Sequence, residues 1–206
     1  SLYPLVIFFI TSSILSNFNI KNNKIKQSNR NISQVYANGG VALFICVINY
    51  FFNHTLMYPC LLASVAAANS DTWGTELGEM SSKMPIDIIS GQEVISGESG
   101  GITLFGTIGS LIGSTIIGAL GYYWTFDIRI MLIVTVAGFL ASIIDSILGS
   151  TIQARYISTD GSLITEKYKN TFYLYTGQKN INNDTVNLYC TLSGPILFLL
   201  LYYSIR

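Results

Sequence analysis

What most constrains this chain is its succession of apolar runs. Six segments, residues 2–16, 37–52, 58–77, 101–123, 128–154 and 186–204, meet or approach the length of a membrane-crossing helix. Crossing takes roughly 20 mostly apolar residues, and inside hydrocarbon every backbone N–H and C=O must be paired within the helix. The pattern predicts an all-α, polytopic membrane helix bundle of about six transmembrane helices, a single integral-membrane domain over residues 1–206. Residues 1–16 read as the remnant of a spanning helix, with neither an initiator Met nor a basic segment ahead of them. Residues 17–36, 78–100 and 155–185 read as cytosol-facing loops. Only 11% of the residues are Asp, Glu, Lys or Arg, against about 25% in a soluble domain, too few to clothe a water-facing surface. A net charge of zero argues against nucleic acid as a partner. Cys46, Cys60 and Cys190 sit in apolar runs with no CxxC spacing and read as packing residues.

Six crossings put alternate connections on opposite sides. One side then holds Lys21, Lys24, Lys26, Arg30, Lys83, Arg155, Lys167, Lys169 and Lys179; the other holds Arg129 and Arg206. Basic residues favour the cytoplasmic face, so the first side is expected there. Tyr58, Tyr122, Tyr123 and Trp124 fall at the other side, as interfacial anchors do.

Two runs break the apolar rule. The third contains Asn69-Ser70-Asp71-Thr72-Trp73-Gly74-Thr75-Glu76, and the fifth carries Ser142, Asp145, Ser146, Gly149 and Gln153 at helical spacing. Ionisable groups inside a span are costly and mark function by default. Both segments run towards the basic side, so Asp71, Glu76 and Asp145 are expected at that end. Three polar clusters arrive there too: Gln34 to Gly40 opening the second helix, Gly97-Glu98-Ser99-Gly100-Gly101 opening the fourth, and the asparagines 182, 183 and 187 opening the sixth. Helix N-termini and glycine turns suit phosphate. Carboxylates beside phosphate repel it unless a cation lies between, and Mg²⁺ takes one or two carboxylates plus phosphate oxygens. The pattern describes a nucleotide or pyrophosphate site at a membrane surface. It equally fits a proton or cation path. No GxxxxGK[ST] sequence is present, so P-loop chemistry is unsupported. His54, the only histidine, falls on the opposite side. The row Gly106, Gly109, Ser110, Gly113, Ser114, Gly118 predicts a close-packing face on the fourth helix.

Five segments in order carry a resemblance. They are Gln34-Val35-Tyr36-Ala37-Asn38-Gly39, the run from Asn69 through Glu76 to Gly78, Gly97-Glu98-Ser99-Gly100-Gly101-Ile102-Thr103, the run from Ile144 to Gln153, and Asn182-Asn183-Asp184-Thr185-Val186-Asn187-Leu188. Together they resemble the transmembrane protein 19 family, from Arg30 to the C-terminus, in a copy lacking the family's N-terminal part. Gly74 and Thr75 stand where small residues such as Ala and Ser are usual in that family, and Asn69 where a small residue is common. That family includes plant phytyl-phosphate kinase, which adds a second phosphate to an isoprenyl monophosphate, favouring CTP. The resemblance implies a membrane isoprenyl-monophosphate kinase with the lipid bilayer, an isoprenyl monophosphate and a nucleotide as partners. In that reading Asp71, Glu76 and Asp145 bind Mg²⁺ bridging the donor phosphates, and Ser99, Gly100 and Gly101 cradle them. Asn38, Asn183, Asn187 and Gln153 complete the phosphate- and nucleotide-binding set. Rival readings are a cation-coupled transporter or lipid scramblase using the same acids, and a non-catalytic membrane subunit. Chain length of the isoprenoid, oligomeric state and organelle are left open.

Overall fold

The computed structural model describes residues 3–23, 32–159, 161, 164–165 and 170–205. Lys24, Lys26, Arg30, Lys167, Lys169 and Arg206, on which part of the charge asymmetry rests, lie outside them. Six helices are described: α1 (Tyr3–Asn23), α2 (Ile32–Phe52), α3 (Met57–Glu79), α4 (Leu104–Thr125), α5 (Ile128–Thr151) and α6 (Asn183–Ser204). Two small antiparallel sheets sit in the connections. One pairs β1 (Ile86–Asp87) with β2 (Gly101–Ile102); the other orders β4 (Ile164–Thr165), β3 (Arg155–Ser158) and β5 (Phe172–Thr176) with β3 central.

α3 is the axis of the bundle and touches each of the other five helices. Its residues from Pro59 to Ser70 are buried without interruption. Small residues make this enclosure possible. α4 runs antiparallel to α3 so closely that a Cβ on Gly113 would meet the Asn69 carbonyl at 2.8 Å, and one on Gly106 the Gly74 carbonyl at 2.7 Å. α5 runs parallel to α3, with Gly138 laid on Ala66, and α6 returns antiparallel with Gly194 on Ala63. In lipid there is little hydrophobic drive between helices, so such backbone approach and cross-helix hydrogen bonds hold them together. Asn69 donates to Gly113 O at 2.7 Å and accepts from Thr11 and Ser12 at 3.3 and 3.4 Å. Ser70 Oγ lies 2.8 Å from Ser110 O and 3.0 Å from Ser142 Oγ. The glycine row of α4 is thus a packing face, against α3 from Gly106 to Gly113 and against α5 at Gly118, as its spacing predicts.

Outward faces are apolar. Leu43, Phe44 and Val47 on α2, Ile108, Leu111 and Ile112 on α4, Leu132, Val136 and Leu140 on α5, and Leu192, Ile196 and Leu200 on α6 are exposed at helical spacing. Exposed apolar stripes of this extent belong in a lipid environment. Four helices, α2, α4, α5 and α6, are long and apolar enough to cross a membrane. α1 has a shorter apolar stretch, Tyr3–Phe18, and α3 trades apolarity for its polar C-terminal half.

The loops differ from expectation in three places. α1 continues to Asn23 and α2 begins at Ile32, so most of 17–36 is helical: no Gly or Pro interrupts 16–23, and polarity alone does not end a helix. α1 at 21 residues is also longer than the 2–16 run. Gly101 lies in β2, and α4 starts three residues later behind the cap Thr103, whose side chain accepts from Gly106 N. The 155–185 connection holds the three-stranded sheet, because Tyr156, Ile157 and the alternating Phe172-Tyr173-Leu174-Tyr175 stretch favour strand. At the opposite end Tyr3, Tyr58 and Tyr123 gather around Trp124, with ring centroids 6.0, 6.5 and 5.8 Å away. All three cysteines are free thiols, Cys60 and Cys190 buried in the core.

Candidate functional site at one end of the bundle

The antiparallel and parallel pairings bring the C-terminal ends of α3 and α5 together with the N-termini of α4 and α6. Between them lies a cavity of about 290 Å³. Its chemistry follows from sequence position. On α3, the buried small residues give way at Asp71, and Asp71, Thr75 and Glu76 face the space. On α5, Ser142, Asp145 and Ser146 share one face at i, i+3 and i+4 and line it too. Asn183 and Asn187, one turn apart on α6, close a third wall, and the segment Ser96–Thr103 a fourth.

The carboxyl groups of Asp71 and Asp145 lie within hydrogen-bonding distance of each other. Two like charges at such range in a mostly protein-lined space require a proton or a cation between them. Glu76, Glu79 and Glu98 also line the cavity, and among the described residues no Lys or Arg side chain does. Five carboxylates therefore face one space.

Of the sequence-predicted residues, Asp71, Glu76, Asp145, Ser99, Gly100, Gly101, Asn183 and Asn187 meet there. The three acids do not close into one ligand set: no group of three His, Cys, Asp or Glu at metal-binding distances occurs among the described residues. What the fold assembles is the Asp71–Asp145 pair, with Glu76 farther along the same wall.

Two residues are corrected. Gln153 is 2% exposed and does not line the cavity; past the end of α5, it donates from Nε2 to Ser99 Oγ at 2.7 Å. The helical stripe it seemed to continue ends at Thr151. Asn38 is half-buried inside α2, beginning six residues before it at Ile32, and also lies off the cavity wall. Neither sits where a phosphate in this cavity would contact it.

The glycine turn has a structural cause. Gly97 and Gly100 have φ of +84° and +85°, and a Cβ on Gly100 would meet Ser150 at 2.5 Å. Only glycine permits this conformation at this approach to α5. Arg155, by sequence one of the basic residues of the 155–185 connection, clamps the turn from behind. Its guanidinium pairs with Glu98 at 2.6 Å and donates to Ser99 O at 2.5 Å and to Gly149 O at 3.2 Å. Arg155 stands directly after Gln153 and Ala154; strand β3 turns its side chain inward, a placement with no signal in the local sequence.

Comparison with known proteins agrees with this architecture. A family described as "Integral membrane protein DUF92" matches residues 1–195. An uncharacterised membrane protein of Methanocaldococcus jannaschii is 30% identical over 205 residues, covering 98% of this chain and 76% of that protein. Protein PGR of Arabidopsis thaliana is 27% identical over 215 residues, covering 89% of this chain and 75% of its own length. No solved structure matches. With the family match spanning nearly the whole chain over a bundle of apolar-faced helices, the chain belongs to the DUF92 family of integral membrane proteins.

Proposed function

We propose that the protein is a membrane-embedded phosphotransferase. In this reading it passes the terminal phosphoryl group of a nucleoside triphosphate, CTP or similar, to an isoprenyl monophosphate such as phytyl or geranylgeranyl phosphate. The observation that carries the reading is the contact between Asp71 and Asp145, contributed by two separate helices to a cavity at the end of an apolar-faced bundle. The five motifs that resemble the transmembrane protein 19 family add the substrate class.

Magnitudes decide what the cavity must contain. A phosphate oxygen about 4 Å from a carboxylate is repelled by roughly 4 kcal/mol at an effective dielectric near 20. Two such contacts would exclude a triphosphate. A divalent ion reverses the sign, and the donors fit Mg²⁺: two carboxylates, with remaining positions for phosphate oxygens and water. Bound there, Mg²⁺ would neutralise charge on the donor phosphates. The chain's own groups hold and orient. Asp71 and Asp145 would fix the ion, Asn183 and Asn187 would donate amide hydrogens to phosphate, and the turn at Ser99–Gly101 would shape the wall. The reaction needs no protein nucleophile. An oxygen of the acceptor monophosphate attacks the γ-phosphorus, the bond from that phosphorus to the bridging oxygen breaks, and the nucleoside diphosphate leaves with the electron pair. Phosphoryl transfer rests on such positioning and charge neutralisation.

A second reading has its own observation, the gathering of five carboxylates, one of them paired with Arg155, around a single space. It makes the cavity a cation site in a transporter or scramblase. One experiment separates them. Purified protein in lipid is given labelled CTP and a panel of isoprenyl monophosphates, with and without Mg²⁺. Mg²⁺-dependent label in the lipid diphosphate is expected. No transfer, together with cation-driven flux in sealed liposomes, would replace this reading with the transporter.

A further inference from the structure

The connection between α3 and α4 has an inverted pattern. In a water-facing strand pair, apolar side chains turn in and polar ones out. Here β1 does the reverse: Ile86 is exposed and Asp87 is buried. The inversion extends beyond the strand, with Met84, Ile86, Ile89 and Ile95 between 47% and 65% exposed while Pro85 and Asp87 are buried. Asp87 is satisfied inside: its Oδ1 accepts from Ile89 N at 3.1 Å and Ser90 N at 2.7 Å, and Ser150 on α5 hydrogen-bonds to its side chain. The loop is thus tied to the bundle through its polar face.

Its apolar face is continuous with the lipid-facing surface of α4. Ile86 pairs with Ile102 in the β1–β2 register, and two residues later Leu104 stands 79% exposed on the first turn of α4. From there the exposed row runs on through Ile108, Leu111 and Ile112. Lys83 is exposed beside Met84, where an ammonium would meet headgroup phosphates. On its inner side the same segment supplies Pro85 and Ser96–Thr103 to the cavity wall.

We infer that the α3–α4 loop is an interfacial membrane element, its outer face of Met84, Ile86, Ile89 and Ile95 seated at the boundary between headgroups and acyl chains. The occupant of that face is the lipid surface of the same bilayer that the helices cross. This sets the cavity rim at headgroup depth, where a lipid-borne phosphate enters without leaving the membrane. The inference rests on the inverted burial and its continuity with α4, and holds whether the cavity transfers phosphate or moves a cation.

Nitroxide labels test it. The three native cysteines are replaced by alanine, and Ile89→Cys, Ile95→Cys and Gln92→Cys are labelled singly in the full chain, reconstituted in phosphatidylcholine–phosphatidylserine nanodiscs. Molecular oxygen, concentrated in lipid, should relax the labels at 89 and 95 more than a water-soluble nickel chelate does; Gln92, exposed and polar in the same loop, should show the opposite order. Nickel accessibility at 89 and 95 equal to that at 92 would overturn the inference. Ile95→Trp provides a second readout without cysteine replacement, with quenching by lipids brominated near the headgroup expected and an unchanged signal counting against it. Neither measurement depends on phosphoryl transfer.

Discussion

The two halves of α3 are made for different purposes. From Pro59 to Ser70 every residue is buried, and the glycines of α4, α5 and α6 press directly on its backbone. From Asp71 to Glu79 no residue is fully buried, and acids replace alanines along the same cylinder. The first half is held by close packing and by Asn69 and Ser70, whose polar atoms are paired across helices. The second half keeps its carboxylates facing an open space. The contrast teaches that the acids are not what holds the helices together: even beyond Asp71 the close approach is made by glycines, Gly106 on the Gly74 carbonyl and Gly109 on that of Trp73.

The comparison breaks most sharply at the acids. Asp71→Asn or Asp145→Asn should lower phosphoryl transfer by at least about 10³-fold. Because each removes one of two crowded like charges, thermal stability without added metal should rise or stay level. A fall in stability with activity retained would reassign the pair to packing. Steady-state kinetics alongside a melting curve in detergent reads both.

Next in size is the clamp behind the glycine turn. Arg155→Ala leaves Glu98 facing a low-dielectric wall without its partner and should cost about 3 kcal/mol in stability, as breaking a buried pair does. The exposed Asp127–Arg129 pair at the other end, with the Arg129 side chain 77% exposed, should contribute far less by the same assay, because solvent screens it. Equal losses would mean that the turn is not clamped.

The packed half is probed by Gly113→Val. Its Cβ would fall 2.8 Å from the Asn69 carbonyl, so α3 and α4 must separate, at about 1–3 kcal/mol. A matched Gly40→Ala, with open space around its Cβ position, should leave stability unchanged or slightly raised, the gain being the higher helix propensity of alanine.

The smallest effect concerns pH. Burial tends to raise the pKa of Asp87, but hydrogen bonds from Ser150, Ser90 and Ile89 N–H outweigh it and hold the carboxyl at about 2, below the ordinary 3.8. A depressed carboxylate stabilises the fold above its unfolded pKa and loses that contribution as pH falls towards the folded one. Between pH 5 and pH 3 about 1 kcal/mol should disappear, and Asp87→Asn should remove that part of the slope in a pH series of melting curves. An unchanged slope would show that Ser150 does not hold the loop through this carboxylate.

Much of this was legible in the chain itself. Apolar runs of spanning length left helices as the only economical answer, since unpaired backbone cannot be tolerated in lipid. The same arithmetic set Asp71 and Asp145 at one end, because two helices separated by one full return must point the same way. The glycine row of α4 announced its packing face through spacing alone. The illegible parts depend on geometry beyond one element. Gln153 looked like the next step of a polar stripe, and only the end of α5 at Thr151 removed it. Asn38 looked like a helix start, until the helix began six residues earlier.

Sequence by itself determined the membrane as solvent, the helical class, and which acids arrive at which end, because these follow from length, polarity and alternation of direction. Tertiary structure alone decided that Asp71 meets Asp145 while Glu76 stands apart, that Arg155 turns inward to Glu98, and that the α3–α4 loop wears its isoleucines outward. Those outcomes turn on helix rotation and on a few ångströms of backbone approach, and both are set by glycines touching residues on other helices, far away in the sequence.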